Sequence, residues 1–461
     1  MSHSTIQNSV SSQAGFSLHM NQYGKERLPF RLIEANGVVQ RFEHIGAEPK
    51  AAYDVLDASG GYASACMGSN HPMILETLSE AVKRGYSTDE VEDITRQTLL
   101  EFLLGPDGLW IDHFFYGDFH AAGRNSGSEG MELAIRLLAE ARFDYRHQRL
   151  SDKYKERNII LAFEGAWHGW TAGLIPLLNR RHYRVGLMPS AESAAFGLTV
   201  HHIPFGDRPS LDNFFGKYGD KLLGVVVEPI QGDAGIICPP QGYLRELAQR
   251  TNKAGAYLIA DEVLTFAKTG QFFAMRDELG PVPTDITVIG KNLGMGIISA
   301  SLVIARRELT VRPTGAVCTS DLRPLACHVM LSGLKFLNSM GLISAAKPKG
   351  ERLRELLHKE LKVPFPELYR EVRGEGLLNG VELTPEAAPY ANRLRIEMIK
   401  AGAYVELMAG AGKRSGGLRY LYPTLRFAPP LIISEQQIRD LVHRAVAGTL
   451  GFIGEKNDNH S

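Results

Sequence analysis

Cysteine is scarce in this chain of 461 residues. Its four cysteines, Cys66, Cys238, Cys318 and Cys327, lie far apart and form no Cys-x-x-Cys pair. This spacing argues against a disulfide framework and a zinc site, so we expect reduced thiols and no metal centre. Excess charge of either sign is also absent, because 51 Lys and Arg residues balance 51 Asp and Glu residues. The balance argues against nucleic acid and anionic membranes as partners and favours a small molecule.

Long apolar runs are missing as well. No stretch of the sequence approaches about 18 consecutive apolar residues, the length that a transmembrane helix requires. Residues 1–25 are polar and lack the apolar run of about 7–15 residues that a signal peptide needs. We therefore predict a cytoplasmic protein whose residues 1–25 form a flexible segment.

Short apolar runs do occur, and from about residue 81 onward they alternate with helical stretches. These runs are NIILAF (158–163), GVVVEP (224–229), YLIADE (257–262), ITVIG (286–290) and ASLVIA (300–305). Runs of this length between helices indicate parallel strands that are buried on both faces of a sheet. The sequence therefore predicts an α/β fold with a large domain over residues 81–339.

The two ends of the chain have a different pattern. Residues 26–80 mix short β-type runs with turn signals, whereas residues 340–452 read as α+β. A chain of this length exceeds the size at which one core stops growing, so a second domain is expected. We predict that both ends build one small domain together, and that residues 453–461 form a flexible tail.

Three elements are predicted within the C-terminal part. Residues 366–383 are typical of a strand pair, and residues 388–402 predict an amphipathic helix that ends at Gly402. Residues 434–450 predict a final helix capped by Ser434.

The segment RNSGSEGMELAIRLLAEAR (124–142) places small polar residues directly before an amphipathic helix. The first backbone N–H groups of such a helix have no intrahelical acceptor and lie at the positive end of its dipole. They can hold a phosphate group. A plain helix cap is the alternative explanation for the same residues.

Two charged positions follow apolar strands in the large domain. YLIADEV leads into Asp261 and Glu262, and TVIGK leads into Lys291. The carboxyl ends of parallel strands face the ligand crevice, so one acid and the lysine are expected at the same edge. The acid could instead cap the next helix, and the lysine could lie in a surface turn.

Lys291 is the most unusual of these residues because three glycines surround it in GKNLGMG. A lysine in an apolar pocket has a lowered pKa and becomes a nucleophile that forms a Schiff base with a carbonyl compound. We expect the glycines to give a cofactor room to approach. A phosphate site, a strand-end acid and a lysine are together what pyridoxal phosphate requires.

These motifs also occur in a known family. The runs EPIQGDAGI, GAYLIADEV and PVPTDITVIGKNLGMG follow one another in the order and spacing of that family. Over about residues 27–450 the sequence resembles the class III, or omega, aminotransferases of the pyridoxal-phosphate fold-type I superfamily. Ornithine and acetylornithine aminotransferases are the most similar in detail. The resemblance implies a large domain with a mainly parallel sheet flanked by helices, plus a small α+β domain.

The resemblance also implies roles for individual residues. Lys291 would carry pyridoxal 5'-phosphate as a Schiff base and move the proton during the reaction. Asp261 would keep the pyridine nitrogen protonated, so that the ring accepts electrons. The other residues expected to contact the cofactor are Ser126, Gly127, Ser128, Trp167, His168, Glu228, Val263 and Thr319.

The resemblance implies a specific contact for four of these residues. Trp167, in FEGAWHGWT, would lie flat on the pyridine ring. Gly127 and Ser128 would bind the phosphate through backbone N–H groups. Thr319, in CTSDLRPLAC, matches a threonine that reaches the phosphate of the neighbouring subunit. The resemblance therefore implies a homodimer with shared active sites.

Four residues would contact the substrate. Arg426 corresponds to an arginine that binds a substrate carboxylate, and Asp233 to an acid that pairs with this arginine. Tyr62 matches an aromatic substrate contact. Trp170 stands where ornithine-type enzymes carry a second carboxylate-binding arginine, and Leu264 replaces a frequent glutamine. We therefore expect an apolar pocket, a substrate that carries apolar or bulky groups or only one carboxylate, and a substrate pair other than ornithine with 2-oxoglutarate.

The predicted activity is the transfer of an amino group from an amine or amino acid to a carbonyl acceptor in two half-reactions. Racemases, aminomutases and a decarboxylase share these family motifs, so the reaction could differ while the cofactor stays the same. A non-catalytic cofactor-binding protein is the alternative from another class. The retention of Lys291 and Asp261 argues against that alternative.

Overall fold

The computed structural model describes residues 27–88, 90–179, 194–195, 197–408 and 423–458. The predicted flexible segment over 1–25 lies outside the described residues. So do residues 459–461 of the predicted tail.

Helices and strands alternate through the middle of the chain. The α-helices of the described residues are α1 (Gly60–Ala63), α2 (Pro72–Ala81), α3 (Ile94–Leu104), α4 (Gly127–Ala141), α5 (Arg208–Tyr218), α6 (Tyr243–Lys253), α7 (Pro324–Ser339), α8 (Leu342–Leu356), α9 (Ala391–Lys400) and α10 (Glu435–Asp458). The strands are β1 (Phe30–Asn36), β2 (Val39–His44), β3 (Ala52–Asp57), β4 (Phe119–Arg124), β5 (Phe143–Asp144), β6 (Arg149–Leu150), β7 (Ile159–Phe163), β8 (Ala194–Ala195), β9 (Leu198–Ile203), β10 (Leu222–Val227), β11 (Tyr257–Asp261), β12 (Arg276–Asp277), β13 (Gly280–Pro281), β14 (Ile286–Ile289), β15 (Ser301–Arg306), β16 (Tyr369–Glu375), β17 (Leu378–Leu383), β18 (Ala403–Tyr404), β19 (Glu406–Met408) and β20 (Thr424–Phe427).

The largest sheet has the strand order β4-β15-β14-β11-β10-β7-β9-β8. Strands β9, β7, β10, β11 and β14 run parallel to their neighbours in this series, which confirms the α/β prediction. The run at 300–305 was also expected to be parallel, and that prediction was wrong. Strand β15 is antiparallel to both β14 and β4. The linking segment 290–300 holds only a short 3₁₀ turn, so the chain reverses without the helical crossover that a parallel strand needs.

The strands of this sheet are buried on both faces because their side chains alternate between two apolar clusters. In β7, Ile160 and Ala162 pack in one cluster with the apolar side of α4. Ile159 and Leu161 pack in the other cluster, together with residues of α5 and α6. This two-residue period explains why these strands read as continuous apolar runs in the sequence.

Smaller sheets carry the two ends of the chain. Strand β18 pairs in parallel with β3, so strands from both ends share the sheet β1-β2-β3-β18. Strands β16, β17, β20 and β19 form an antiparallel sheet, which confirms the predicted strand pair at 366–383. The boundaries of the small and large domains stay a prediction.

The two predicted C-terminal helices are present as α9 and α10. Helix α9 ends before Gly402, whose φ of 93° is left-handed. The hydroxyl of Ser434 accepts a hydrogen bond from the Gln437 N–H at 3.2 Å, which confirms the cap of α10. Helix α10 continues to Asp458, so the tail predicted to be flexible from 453 is helical over its first six residues. Phe452 packs in the core there and anchors the last turns.

No single described helix is long and apolar enough to cross a membrane. Helix α7, together with α8 and its π-helical extension to Lys362, has the length and composition of a membrane span only as a pair. The two members of this pair are bent by 61° relative to each other.

Candidate active site

Asp261 and Lys291 lie at one edge of the large sheet. Asp261 is the last residue of β11, and Lys291 follows the end of β14, the neighbouring parallel strand. The two strands are in register there, because Asp261 lies opposite Val288. The carboxyl ends of adjacent parallel strands therefore place the acid and the lysine at the same crevice, as the sequence predicted.

The two neighbouring acids point in different directions. The carboxylate of Asp261 is 2.8 Å from His168 Nδ1 and accepts a hydrogen bond from the Val263 N–H at 3.1 Å. Glu262 instead accepts hydrogen bonds from the N–H groups of Ala274 and Met275 at 3.0 and 2.7 Å. Burial raises the pKa of Glu262 to about 7. Glu262 therefore holds a loop, and Asp261 is the acid that faces the crevice.

Glu228 connects two loops beside Asp261. One carboxylate oxygen accepts a hydrogen bond from the Trp167 N–H at 2.8 Å, and the other accepts from the Gly232 N–H at 3.1 Å. Burial raises the pKa of Glu228 to about 7, while the charge of His168 opposes this rise. Glu228 thereby fixes the turn that carries Trp167 and His168 against the end of the sheet.

The first turn of α4 lies close to the same edge. The hydroxyl of Ser126 accepts a hydrogen bond from the Glu129 N–H at 3.3 Å, so Ser126 is the helix cap. Its backbone oxygen accepts a hydrogen bond from the Ser301 hydroxyl at 2.8 Å, which fixes the helix start to β15. Gly127 and Ser128 are the first helical residues, and N–H groups at these positions have no acceptor within their own helix.

A tight turn brings two tryptophans next to this helix start. The Trp170 N–H donates a hydrogen bond to the Ser128 hydroxyl at 3.4 Å. Gly169 has a φ of 114°, and a Cβ there would lie 2.4 Å from the same hydroxyl oxygen, so no larger residue fits. The rings of Trp167 and Trp170 stack with centroids 5.5 Å apart and an angle of 11° between their planes. Trp170 is 53% exposed, so the stack presents a flat apolar surface.

Lys291 has a strained backbone and a charged environment. Its φ of 44° is left-handed, which is unusual for a residue other than glycine and occurs mostly at functional sites. Burial lowers the pKa of Lys291, and the positive charge of Arg426 lowers it further. The negative charges of Asp261, Glu228 and Asp233 oppose this shift. A lysine with a lowered pKa has a larger fraction of neutral, nucleophilic amine at neutral pH.

The glycines around Lys291 lie close to other parts of the chain. A Cβ on Gly290 would lie 3.3 Å from a methyl group of Val263. A Cβ on Gly296, which has a φ of 78°, would lie 2.6 Å from the Cα of Ala65. These two glycines therefore make room for other segments of the chain, while the predicted access for a cofactor stays a prediction.

Arg426 lies in a buried ion pair. It belongs to β20, and its guanidinium contacts the carboxylate of Glu406, the residue directly opposite it in β19. Sequence reasoning missed Glu406, although a lone acid within the apolar stretch AYVELM was a signal for a buried partner. The predicted partner, Asp233, lies in the loop after Gly232, and its pairing with Arg426 stays a prediction.

The comparison with known families decides the class of the protein. The sequence model of the family Aminotransferase class-III matches residues 50–447. The chain belongs to the class-III aminotransferases. Its cofactor is pyridoxal 5'-phosphate, as predicted.

This aminotransferase is similar to several named proteins. It is 30% identical to the mitochondrial ornithine aminotransferase of Oryza sativa subsp. japonica over 392 residues, 84% of this chain and 75% of the relative. Its fold is similar to that of the ornithine aminotransferase from Toxoplasma gondii, with a TM-score of 0.77, 23% identity, and coverage of 95% of this chain and 94% of the other. It is also similar to that of an (S)-enantioselective omega-transaminase from Thermomicrobium roseum, with a TM-score of 0.75, 22% identity, and coverage of 95% and 96%.

The site of this aminotransferase fits the cofactor. The N–H groups of Gly127 and Ser128 suit an anionic phosphate at the start of α4. Asp261 offers a buried carboxylate to a protonated ring nitrogen. His168 Nε2 is buried without a hydrogen-bond partner, so a polar atom of a bound group could still contact it. These residues therefore match the phosphate and the ring nitrogen of pyridoxal phosphate.

Two of the predicted site residues lie farther out. Tyr62 belongs to α1 and is 51% exposed. The Ala428 N–H donates a hydrogen bond to the Ala58 oxygen at 2.7 Å, which places this segment beside the end of β20 and Arg426. Thr319 is exposed, in a turn whose Leu322 packs against the end of β4. Their contacts with substrate and with a neighbouring subunit stay predictions.

Replacing Gly127 with alanine is expected to weaken the binding of pyridoxal phosphate about tenfold. The new Cβ would lie 2.6 Å from a methyl group of Val263, so the helix start has to shift away from its binding position. Titration of the cofactor-free enzyme, followed by tryptophan fluorescence, gives the dissociation constant. Gly216→Ala is the matched control, because a Cβ there meets nothing within 4 Å. Equal affinities for the two variants would contradict the assignment.

Proposed function

We propose that this aminotransferase moves an amino group between amine and carbonyl substrates other than ornithine and 2-oxoglutarate. The observation that carries the proposal is the stack of Trp167 and Trp170. Trp170 stands where the family resemblance places an arginine for a second carboxylate. An indole offers no charged fork to a carboxylate, whereas its flat face suits an apolar group.

A second apolar group of residues, at Leu264, also supports an apolar substrate. Leu264 is buried, and Gly232 packs so closely against it that a Cβ on the glycine would lie 2.1 Å from a leucine methyl group. Leu264 belongs to a cluster with other buried apolar residues, namely Ala63, Ile230, Ile236, Leu378 and Ala428. Water is excluded from such a cluster. The part of the site beside it therefore favours the binding of an apolar group over that of a charged group.

The chemistry is divided between the cofactor and the chain. Bound pyridoxal phosphate supplies a carbonyl carbon that takes up amino groups and a ring that accepts electrons. Lys291 would hold the cofactor and transfer the proton to and from the substrate carbon. Asp261 would keep the ring nitrogen protonated, and its contact with His168 fixes the carboxylate for that task. Gly127 and Ser128 would anchor the phosphate.

We propose in addition that the enzyme is a cytoplasmic homodimer with shared active sites. Thr319 is exposed in the single chain, and the neighbouring Val317 is 67% exposed. An exposed apolar residue beside the predicted phosphate contact is what a subunit interface would cover.

The activity is tested by mixing the enzyme, loaded with pyridoxal phosphate, with single donors. We expect apolar amines to convert the visible absorbance of the bound cofactor to that of its aminated form, and a carbonyl acceptor to restore it. Ornithine with 2-oxoglutarate should react at least about tenfold less efficiently. Efficient turnover of that pair would refute the substrate proposal, and loss of the absorbance without a carbonyl product would point to a racemase or aminomutase.

A further inference from the structure

The ion pair of Arg426 and Glu406 is fixed by the backbone. Strands β19 and β20 are antiparallel neighbours, and the two residues lie directly opposite each other in the register. Each residue is only 4% exposed, and the contact joins a guanidinium nitrogen to a carboxylate oxygen. Because the partners are cross-strand neighbours, neither has to reorganise the backbone to keep the contact.

This contact occupies the guanidinium group of Arg426, which a substrate carboxylate would need. A guanidinium binds a carboxylate best through two parallel N–H donors, and Glu406 already occupies one of its nitrogens. An incoming carboxylate that needs this nitrogen for one of its two hydrogen bonds would have to displace Glu406. The displaced side chain would then remain as an unpaired charge in a buried position, which is strongly unfavourable.

The pair also lies within electrostatic reach of the reacting amine. Among the charges that act on Lys291, that of Arg426 contributes the largest effect on its pKa. The end of β20 is connected to the segment before Tyr62 through the hydrogen bond from the Ala428 N–H to the Ala58 oxygen. The state of Arg426 therefore matters for any substrate bound at Lys291.

We infer that Glu406 closes the carboxylate site at Arg426, so that the enzyme prefers substrates without a carboxylate on the reacting carbon. This inference rests on the proposed aminotransferase reaction at Lys291. It makes Glu406 a specificity-determining residue, which acts by occupying Arg426. Amines and simple aldehydes or ketones would be its substrates, and 2-amino acids and 2-oxo acids would be disfavoured.

The test compares two donors that differ at one position. Isopropylamine carries a methyl group where L-alanine carries its carboxylate. In Glu406→Gln, the KM for L-alanine is expected to fall about tenfold, while the KM for isopropylamine changes less than about threefold. Calorimetry with propionate, which has no amine to react, should show tighter binding to the variant than to the wild type. Damage to the fold would not produce this gain in affinity.

Two further variants make the result specific. Glu397→Gln removes another buried glutamate, which pairs with Lys400 at 2.7 Å on α9, and should leave both donors unaffected. Asp233→Asn tests the acid that the sequence predicted. A gain in affinity for L-alanine in Asp233→Asn but not in Glu406→Gln would overturn the inference.

A second variant covers the case that Glu406→Gln does not fold. Glu406→Asp shortens the side chain by one carbon and should give a smaller gain in affinity for L-alanine. No gain in this variant would overturn the inference.

The outcome separates this inference from the proposed function. A wild-type enzyme that aminates no carbonyl compound with any donor refutes the proposed function. A wild-type enzyme that transaminates and binds propionate as tightly as Glu406→Gln does refutes only the role of Glu406.

Discussion

Replacing Lys291 with alanine is expected to lower amino transfer by about 10⁴-fold, the largest effect of any single substitution in this chain. The variant would lose the amine that we propose holds the cofactor covalently and moves the proton. Lys291 is suited to both tasks because burial and the charge of Arg426 lower its pKa.

The covalent link gives a measurement that does not depend on turnover. After borohydride treatment, mass spectrometry should find the cofactor attached to the wild type and absent from Lys291→Ala. Lys83→Ala is the control, because Lys83 is exposed and pairs with Glu80 on the surface. A cofactor still attached to Lys291→Ala would contradict the assignment. It would direct attention to Lys268, a fully buried lysine whose pKa burial lowers to about 8.

Replacing Asp261 with asparagine is expected to lower kcat by a factor on the order of 10²–10³. The amide keeps the size of the side chain but carries no negative charge to hold a proton on the ring nitrogen. Asp261 is buried, and His168 and Val263 fix its carboxylate, so no solvent molecule replaces the lost charge easily. The KM for the amine donor should change little, because the proposed role of the carboxylate is toward the cofactor and not toward the substrate.

The neighbouring acid is the control for this prediction. Glu262→Gln should lower the melting temperature, since Glu262 holds the N–H groups of Ala274 and Met275. Its kcat should stay within about threefold of the wild type, because Glu262 points away from the crevice. If Asp261→Asn kept a near-normal kcat and Glu262→Gln did not, the assignment of the two acids would be reversed.

The local sequence was sufficient for the elements that depend on neighbouring residues. Apolar runs and their flanking helices predicted four parallel strands, and Ser434 and Gly402 marked the ends of two helices. These features depend on side-chain period, capping and backbone preference, which act over a few residues. The order of the motifs was sufficient to recognise the family, because the start of α4, Asp261 and Lys291 follow one another along the chain with the spacing that is typical of the family.

Other features depend on residues that are distant in the sequence. The direction of β15 followed from the short link before it and from its pairing with β4, a strand that lies far earlier in the chain. From the residue pattern alone, either Asp261 or Glu262 could have faced the crevice, and the surrounding loops decided between them. Glu406 was not recognised because its partner, Arg426, comes from another strand.

The sequence by itself determined four parallel strands, two C-terminal helices and the class of enzyme, since each is encoded in short stretches of residues. Only the tertiary structure decided which charges meet. An ion pair such as that of Glu406 with Arg426 forms because two strands lie in one register, and the register depends on packing across the whole sheet.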